Sequence, residues 1–417
     1  STGHPAAGNP AGGAWAVLAI RPYRTLFISA TIVIFGVMGQ AVARGWLARD
    51  LTGNNAGLGG AMLAFGASML VTTPLGGVAA DRYPKRRVLL ASVAALTVSS
   101  VGIGVAVVAD AIEYWMLVAA SAIQAAAFAF YLPARISLIS ELVDAATLKN
   151  AVVLAQTAQE SARVFAPALA GVLLGVSWFG VGGVFLSAAA FSLVAGGLLL
   201  SLPKTPARAP TGVSPLGEMV DAVQYLRRNP DVGAIAVLTV AVVMVGFPYL
   251  TFLPTLADER FDVGALGYGV MSGAAGLGAA LAGTFDTLRN RGLRPRRTIV
   301  LSAVGFGGAV GLLGLAPSYP LALVAVVAVG GGGLLFQTST QALMLRLSPL
   351  EYHGRLQSMV ILGFSGFGLA ALPLGVLADA FSLGAVFVGM GTVVIACAGA
   401  FTLQWRASVR ARGPEVA

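Results

Sequence analysis

Apolar residues run along this chain in long stretches, and polar and charged residues gather in the short gaps between them. Twelve such stretches stand out, at about 25–45, 57–80, 88–109, 112–134, 151–176, 179–202, 232–254, 264–287, 298–316, 319–345, 354–378 and 382–405. Each is near the ~20 residues that a helix needs to cross a ~30 Å hydrocarbon layer. The predicted class is an all-α membrane protein. The one sizeable break falls at 203–231. Pro203, Pro206, Pro210 and Pro215 make its first half an extended linker. From Leu216 to Arg228 the pattern changes: Leu216, Met219, Val220, Val223 and Leu226 share one face, with Glu218, Asp221 and Arg228 elsewhere. That spacing predicts an amphipathic helix lying in the membrane interface. The chain then divides into a tail (1–24), a six-helix bundle (25–202), a linker (203–231), a second six-helix bundle (232–405) and a second tail (406–417).

The two sets of six read as repeats of each other. Asp81 ends the second span and Asp286 the eighth, while Pro167 lies in the fifth and Pro373 in the eleventh. These markers give offsets of 205 and 206 residues, so a duplication with pseudo-symmetric halves is expected.

Composition agrees with the pattern. At 57% hydrophobic and 10% charged, with a mean hydropathy of +0.85, the chain is far more apolar than the core of a soluble protein requires. The net charge of +9 would suggest nucleic acid in a soluble protein. Here 22 of the 26 Lys and Arg residues fall in the two tails and in alternate gaps between spans, which assigns those segments to the cytoplasm and excludes nucleic acid as the partner. Both termini are then cytoplasmic. Residues 1–20 lack the basic, apolar and cleavage segments of a signal peptide, so a disordered tail rich in Gly and Ala is expected there, and the start at Ser1 suggests trimming. The single Cys397 excludes an intramolecular disulfide. No Cys/His cluster has metal-ligand spacing, and neither a phosphate-binding Gly-Lys loop nor a nucleophile elbow occurs. Neither metal nor cofactor is expected, and an ATP-driven pump or membrane enzyme is disfavoured.

The second and third spans are joined by Gly77-Val78-Ala79-Ala80-Asp81-Arg82-Tyr83-Pro84-Lys85-Arg86-Arg87. Small residues before Asp81 allow close helix packing, and the cations mark the cytoplasmic side. This loop resembles the G-x-x-x-D-R-x-G-R-R element of the major facilitator superfamily through Gly77, Asp81, Arg82, Lys85 and Arg86, with Pro84 replacing the second Gly. Twelve spans and a central linker match that superfamily's layout. Trp46–Gly53 resembles a W-L-x-x-x-L-T-G element, Phe130–Arg135 an F-x-P-A-R closing the fourth helix, and Tyr225–Pro230 a Y-L-R-R-x-P. These likenesses point to the bacterial branch that contains enterobactin-exporter and macrolide-efflux proteins. The resemblance implies a monomeric transporter of the bacterial inner membrane, exporting a small amphiphilic solute in exchange for protons, with the proton gradient as its energy source.

Polar residues inside the spans are the candidates for that work. Gln156, Glu160 and Arg163 form one stripe on the fifth helix, followed by Pro167. A charge at the membrane centre costs about 2.5–3.5 kcal/mol, so Glu160 and Arg163 are expected to pair or to serve. Either Glu160 carries the proton or the pair only shapes the cavity. Ala166, Pro167 and Gly171 resemble the superfamily's antiporter motif G-x-x-x-G-P-x-x-G-G, with Ala at three of four Gly positions; a helix-packing surface is the other reading. Arg44 either snorkels to the exterior interface or turns inward to Glu160. The superfamily's fourth-helix Arg is replaced by Ser121 ahead of Gln124. Arg135 is expected to join Asp81 in a cytoplasmic gate with Gly77, Arg82, Lys85, Arg86 and Asp286. Gln40, Gln124, Phe128, Tyr131, Gln156, Phe247, Gln337, Gln341 and Phe364 are expected to line the solute cavity, the amides because hydrocarbon is costly for them. His353 is read as a solvated loop residue. An importer, a lipid flippase and a non-transporting sensor stay open as alternatives.

Overall fold

The structure is a computed structural model describing residues 14–203, 215–289, 295–349 and 352–412; the side chains of Asp81, His353 and Phe364 lie outside the described set. Its elements are helical throughout. After a 3-10 turn (Ala14–Ala19), α1 (Arg21–Thr52), α2 (Asn55–Arg82), α3 (Lys85–Val108), α4 (Tyr114–Leu142), α5 (Ala145–Leu174) and α6 (Gly180–Leu200) form the first bundle. The amphipathic α7 (Pro215–Arg228) follows. The second bundle comprises α8 (Pro230–Gly246), α9 (Tyr249–Thr255), a π-helical turn (Leu256–Arg260), α10 (Gly264–Arg289), α11 (Pro295–Leu315), α12 (Tyr319–Arg346), α13 (His353–Ala380) and α14 (Leu383–Arg412).

Counting α8, α9 and the π turn as one unit, twelve long elements run across the molecule among the described residues, and ten of them are long and apolar enough to span a membrane by length and composition alone. The other two are α5, which carries Glu160 and Arg163, and α13, whose described apolar stretch is Ser365–Ala380.

Packing repeats between the bundles. In the first, α1 touches α4, α5 and α6, α2 packs on α4, and α3 packs on α4 and α6. In the second, α8 touches α12, α13 and α14, α10 packs on α12, and α11 packs on α12 and α14. The same network recurs with α1 matched to α8 and α2–α6 matched to α10–α14. The bundles meet through α2 with α13 and α5 with α10, pairs that this matching exchanges. The expected pair of pseudo-symmetric six-helix bundles is what the chain forms.

Several boundaries differ from the sequence reading, α5 starting at Ala145 and α14 running on to Arg412 among them, and three bear on the site. First, α1 continues seven residues past the predicted end of the span, through Arg49 and Asp50, until Gly53 closes it in the left-handed conformation (φ 65°). Second, Phe130–Arg135 does not close the fourth helix, because α4 runs on to Leu142 with Pro133 inside it. Third, the seventh span is broken. Helix α8 stops at Gly246, Phe247 and Pro248 make a turn, and α9 then winds into the π turn that carries Asp258 and Glu259. Pro248 has no N–H to continue the ladder.

Candidate functional site

Between the bundles lies a cavity of about 1010 Å³. Its walls come from both halves: α1 and α2 around Arg44 and Met62, α5 from Val153 to Pro167, the α8–α9 break, α10 from Tyr268 to Thr284, and α12 around Gln337. Most of the lining is apolar. Glu160 is its one carboxylate among the described residues, and Arg44 and Arg163 are its cations.

One end of this space is shut. Near the ends of α5 and α10, Gly171 lies so close to Gly269 that a Cβ on either would overlap the other's backbone. Across the molecule Gly66 of α2 sits against Gly368 of α13. Trp46 of α1 stacks on Tyr268 of α10 with ring centroids 6.2 Å apart. Charges reinforce the closure. Arg49 binds Glu259 and lies 3.8 Å from Asp258, both in the opposite half. Asp379 at the end of α13 accepts hydrogen bonds from the N–H groups of Asn55 and Ala56 (both 2.8 Å) and from the Asn55 amide (2.9 Å). These N–H groups open α2 and have no partner within the helix, so a carboxylate of one bundle caps a helix of the other.

Toward the opposite end, which carries Arg82, Arg86 and Arg87, α5 and α10 part. Their closest contacts reach Val164 and Gly276, beyond which Thr157, Ser161 and Thr284 are exposed and line the cavity. The cavity therefore opens at the Arg82 end and is closed at the Arg49 end.

The sequence-predicted residues distribute unevenly over this geometry. Gln156, Phe247 and Gln337 line the cavity. Gln40, Gln124, Phe128, Tyr131 and Gln341 do not. Phe128 and Tyr131 stack on each other (centroids 6.4 Å apart) within the first bundle, and Tyr131 is buried. Gln40 and Gln124 belong to a hydrogen-bond chain inside that bundle. Arg44 donates to Gln124, the Gln124 amide donates to Gln40 (2.8 Å), Gln40 donates to Ser100 (2.9 Å), and Ser100 donates to the Leu96 carbonyl (2.7 Å). An amide inside a bundle escapes hydrocarbon as well as one facing a cavity, so residue type alone does not decide between the two for Gln40 and Gln124. Phe364 lies outside the described side chains.

Arg44 turns inward and does not snorkel: it is 5% exposed, and the Phe65 ring lies 5.0 Å from it. It does not meet Glu160. That carboxylate pairs with Arg163 on its own helix at 3.2 Å, with side chains 41% and 45% exposed. Ala166 is buried, Pro167 faces the cavity, and Gly171 makes the contact with α10.

At the Arg82 end Arg135 donates to Gln159 (2.8 Å), while the side chain of Asp81, its expected partner, lies outside the described set. Gly77 faces open space, and its neighbour Gly76 is the residue pressed against α4. Arg82 and Asp286 are exposed, and Arg86 donates to the Leu200 carbonyl. Lys85 is buried in an ion pair with Glu141 at 2.6 Å, their side chains 2% and 27% exposed. That bond joins α3 to α4 within one half, so Lys85 ties the bundle together. Lys85→Met should lower the melting temperature in detergent by a few degrees, reflecting about 1–2 kcal/mol once Glu141's access to water is allowed for. An unchanged melting curve would show that the pair contributes nothing.

Residues missed in the sequence are those of the clasp: Arg49 as an inter-bundle ligand, Asp258, Glu259 and Asp379.

Comparison with known proteins adds the following. The family model described as Major Facilitator Superfamily matches residues 26–294. The uncharacterized MFS-type transporter YfiS of Bacillus subtilis (strain 168) is 23% identical over 363 residues, covering 80% of this chain and 82% of that protein. The enterobactin exporter EntS of Shigella boydii serotype 18 is 25% identical over 343 residues, covering 81% of this chain and 80% of its own length. Among solved structures, a POT family transporter in complex with a thioalcohol conjugated peptide superposes with a TM-score of 0.74 at 13% identity, over 92% of this chain and 96% of that one. At that identity the superposition speaks for the fold.

Proposed function

Since the chain belongs to the Major Facilitator Superfamily, a family of membrane transporters, we propose that it exports a small drug-like or siderophore-like solute from the bacterial cytoplasm by alternating access, in exchange for protons. The observation that carries this reading is the inter-bundle cavity, open at one end and clasped at the other. A site that both bundles share, with only one end closed, is what rocking of one half against the other requires. Placing the cation-rich end in the cytoplasm makes the present conformation inward-facing, with both termini inside, and the solute enters from the inner face or inner leaflet. The exporter among the curated relatives supports the direction.

Glu160 is our choice for the proton carrier. It is the carboxylate of the cavity lining, its half-exposed side chain can exchange protons with the open vestibule, and Arg163 holds it in place. Proteoliposomes with an imposed pH gradient and either enterobactin or erythromycin as probe test the proposal. Uphill movement of a probe is expected with the natural chain. Glu160→Gln should abolish it while leaving downhill exchange partly intact. Uphill transport unchanged by Glu160→Gln refutes the carrier role, and transport that ignores the pH gradient refutes the antiport.

A further inference from the structure

Resting on the transport reading of the cavity, we infer that Arg44 is the anchor for an anionic group on the solute, so that the cavity selects amphiphiles pairing one acidic headgroup with an apolar body. Arg44 is 95% buried by its own chain, faces the cavity, and has no carboxylate partner among the described residues. Its neighbours are the Gln124 amide oxygen and the Phe65 ring, both uncharged. The chain through Gln124, Gln40 and Ser100 runs in one direction, each member donating to the next, and ends on a backbone carbonyl. It orients the guanidinium and cannot neutralise it. One of five N–H donors is committed to that chain.

The other charges of the cavity cancel, because Glu160 and Arg163 pair with each other. What is left among the described residues is one cation in an apolar chamber of about 1010 Å³. A buried, uncompensated charge is costly, and an incoming anion removes the cost. A neutral solute leaves it standing, and a cationic one adds to it. Planar N–H groups in a fork suit a carboxylate, sulfonate or phosphate ester.

The opposite bundle supplies a second donor. The hydroxyl of Tyr268 lies against the next residue of α1: a Cβ added to Gly45 would be 2.9 Å from it. Tyr268 also lines the cavity and is held flat by Trp46. Arg44 and this hydroxyl from the other half thus share one chamber, which ties headgroup binding to the approach of the two bundles.

Three dansyl probes share a body and differ in charge: dansylglycine (anion), dansylglycinamide (neutral) and dansylcadaverine (cation). Binding of each to the purified full chain in phosphatidylcholine nanodiscs is read from fluorescence. Dansylglycine is expected to bind at least tenfold more tightly than the amide, and the cation most weakly. Arg44→Gln should erase the preference by weakening the acid about tenfold while leaving the amide's affinity in place, which also shows that the variant is folded. Arg44→Lys should restore part of the preference, and Tyr268→Phe should weaken the acid about threefold and the amide not at all. Equal binding of acid and amide by the natural chain, or an acid affinity unmoved by Arg44→Gln, overturns the anchor. Phosphatidylglycerol nanodiscs separate two sources of the anion. Loss of dansylglycine binding there assigns the site to a lipid headgroup, and retention assigns it to a soluble amphiphile. Failure of the transport reading looks different: charge preference stays intact while no probe crosses the membrane.

Discussion

Gly171→Val is expected to abolish transport while leaving the protein folded and trapped with its Arg49 end open. The reason is local and steric. Helices α5 and α10 cross with Gly171 on Gly269, backbone against backbone, and the atom a larger residue adds first, its Cβ, already overlaps the facing main chain. A rotamer change cannot relieve a clash between Cβ and backbone, so the helices must separate. Overpacking of this kind costs about 1–3 kcal/mol, and that cost falls only on the conformation in which these helices touch. A penalty of this size moves a two-state ratio about 5- to 150-fold. Each bundle keeps its own packing, because the contact lies between them. Spin labels report the shift, placed in a Cys397→Ser background at Asp50 and Phe381 on the Arg49 end and at Tyr83 and Asp286 on the other. The first distance should lengthen and the second shorten. Gly171→Ala should give most of the effect, since Cβ is the offending atom. Transport and both distances left unchanged by valine would mean that this end does not need to close as tightly as the structure has it.

How much of this could be read from the sequence depends on how many fates a residue pattern allows. An apolar run of ~20 residues between charged gaps has one stable outcome, and so the spans, their number and the two-bundle repeat were all legible. The ends of helices were not. Arg49 and Asp50 look like a loop because they are charged, yet a helix can carry its last turns beyond the hydrocarbon. The α8–α9 break was signalled by Gly246-Phe247-Pro248, but proline is common enough inside membrane helices to hide it, as at Pro74, Pro133 and Pro373 in this chain.

The site was half legible for a similar reason. Gln156 and Gln40 are equally polar, and only the packing decides that one faces the cavity while the other hands a hydrogen bond along inside a bundle. Arg44 had two ways out of hydrocarbon, and α1 settles the choice by burying Ala43, Leu47 and Ala48 around it. Asp379 was invisible. It is a single acid at the end of an apolar span, and its partners lie more than 320 positions away. The useful signal was negative: no cation stands near it in sequence, so its charge had to be met from elsewhere.

That acid leads to the second large effect. Asp379→Ala should shift the protein toward the conformation open at the Arg49 end, and Arg49→Ala should do so less. Asp379 takes three N–H donors at 2.8–2.9 Å, two of them backbone groups at the start of α2, where the helix dipole favours a negative charge. Asn54 caps only the next N–H, that of Gly57 (2.7 Å), so removing the carboxylate leaves the first two to water. Because Asp379 is itself exposed, about 1–2 kcal/mol is a fair expectation for its loss. Arg49 meets a Glu259 that is 52% exposed, and such a pair contributes about 0.5–1 kcal/mol. The contacts are separate, so the double variant should approach their sum, a change of roughly 10- to 150-fold in the ratio of the two conformations. The label pair at Asp50 and Phe381 measures it, with the long-distance population rising in the order Arg49→Ala, Asp379→Ala, double variant. Exchanging the charges, Arg49→Glu with Glu259→Arg, should return the distribution toward that of the natural chain, since the bond is remade with its ends reversed. If all four variants gave the natural distance distribution, the clasp would be a passenger, and closure would rest on the glycine contacts alone.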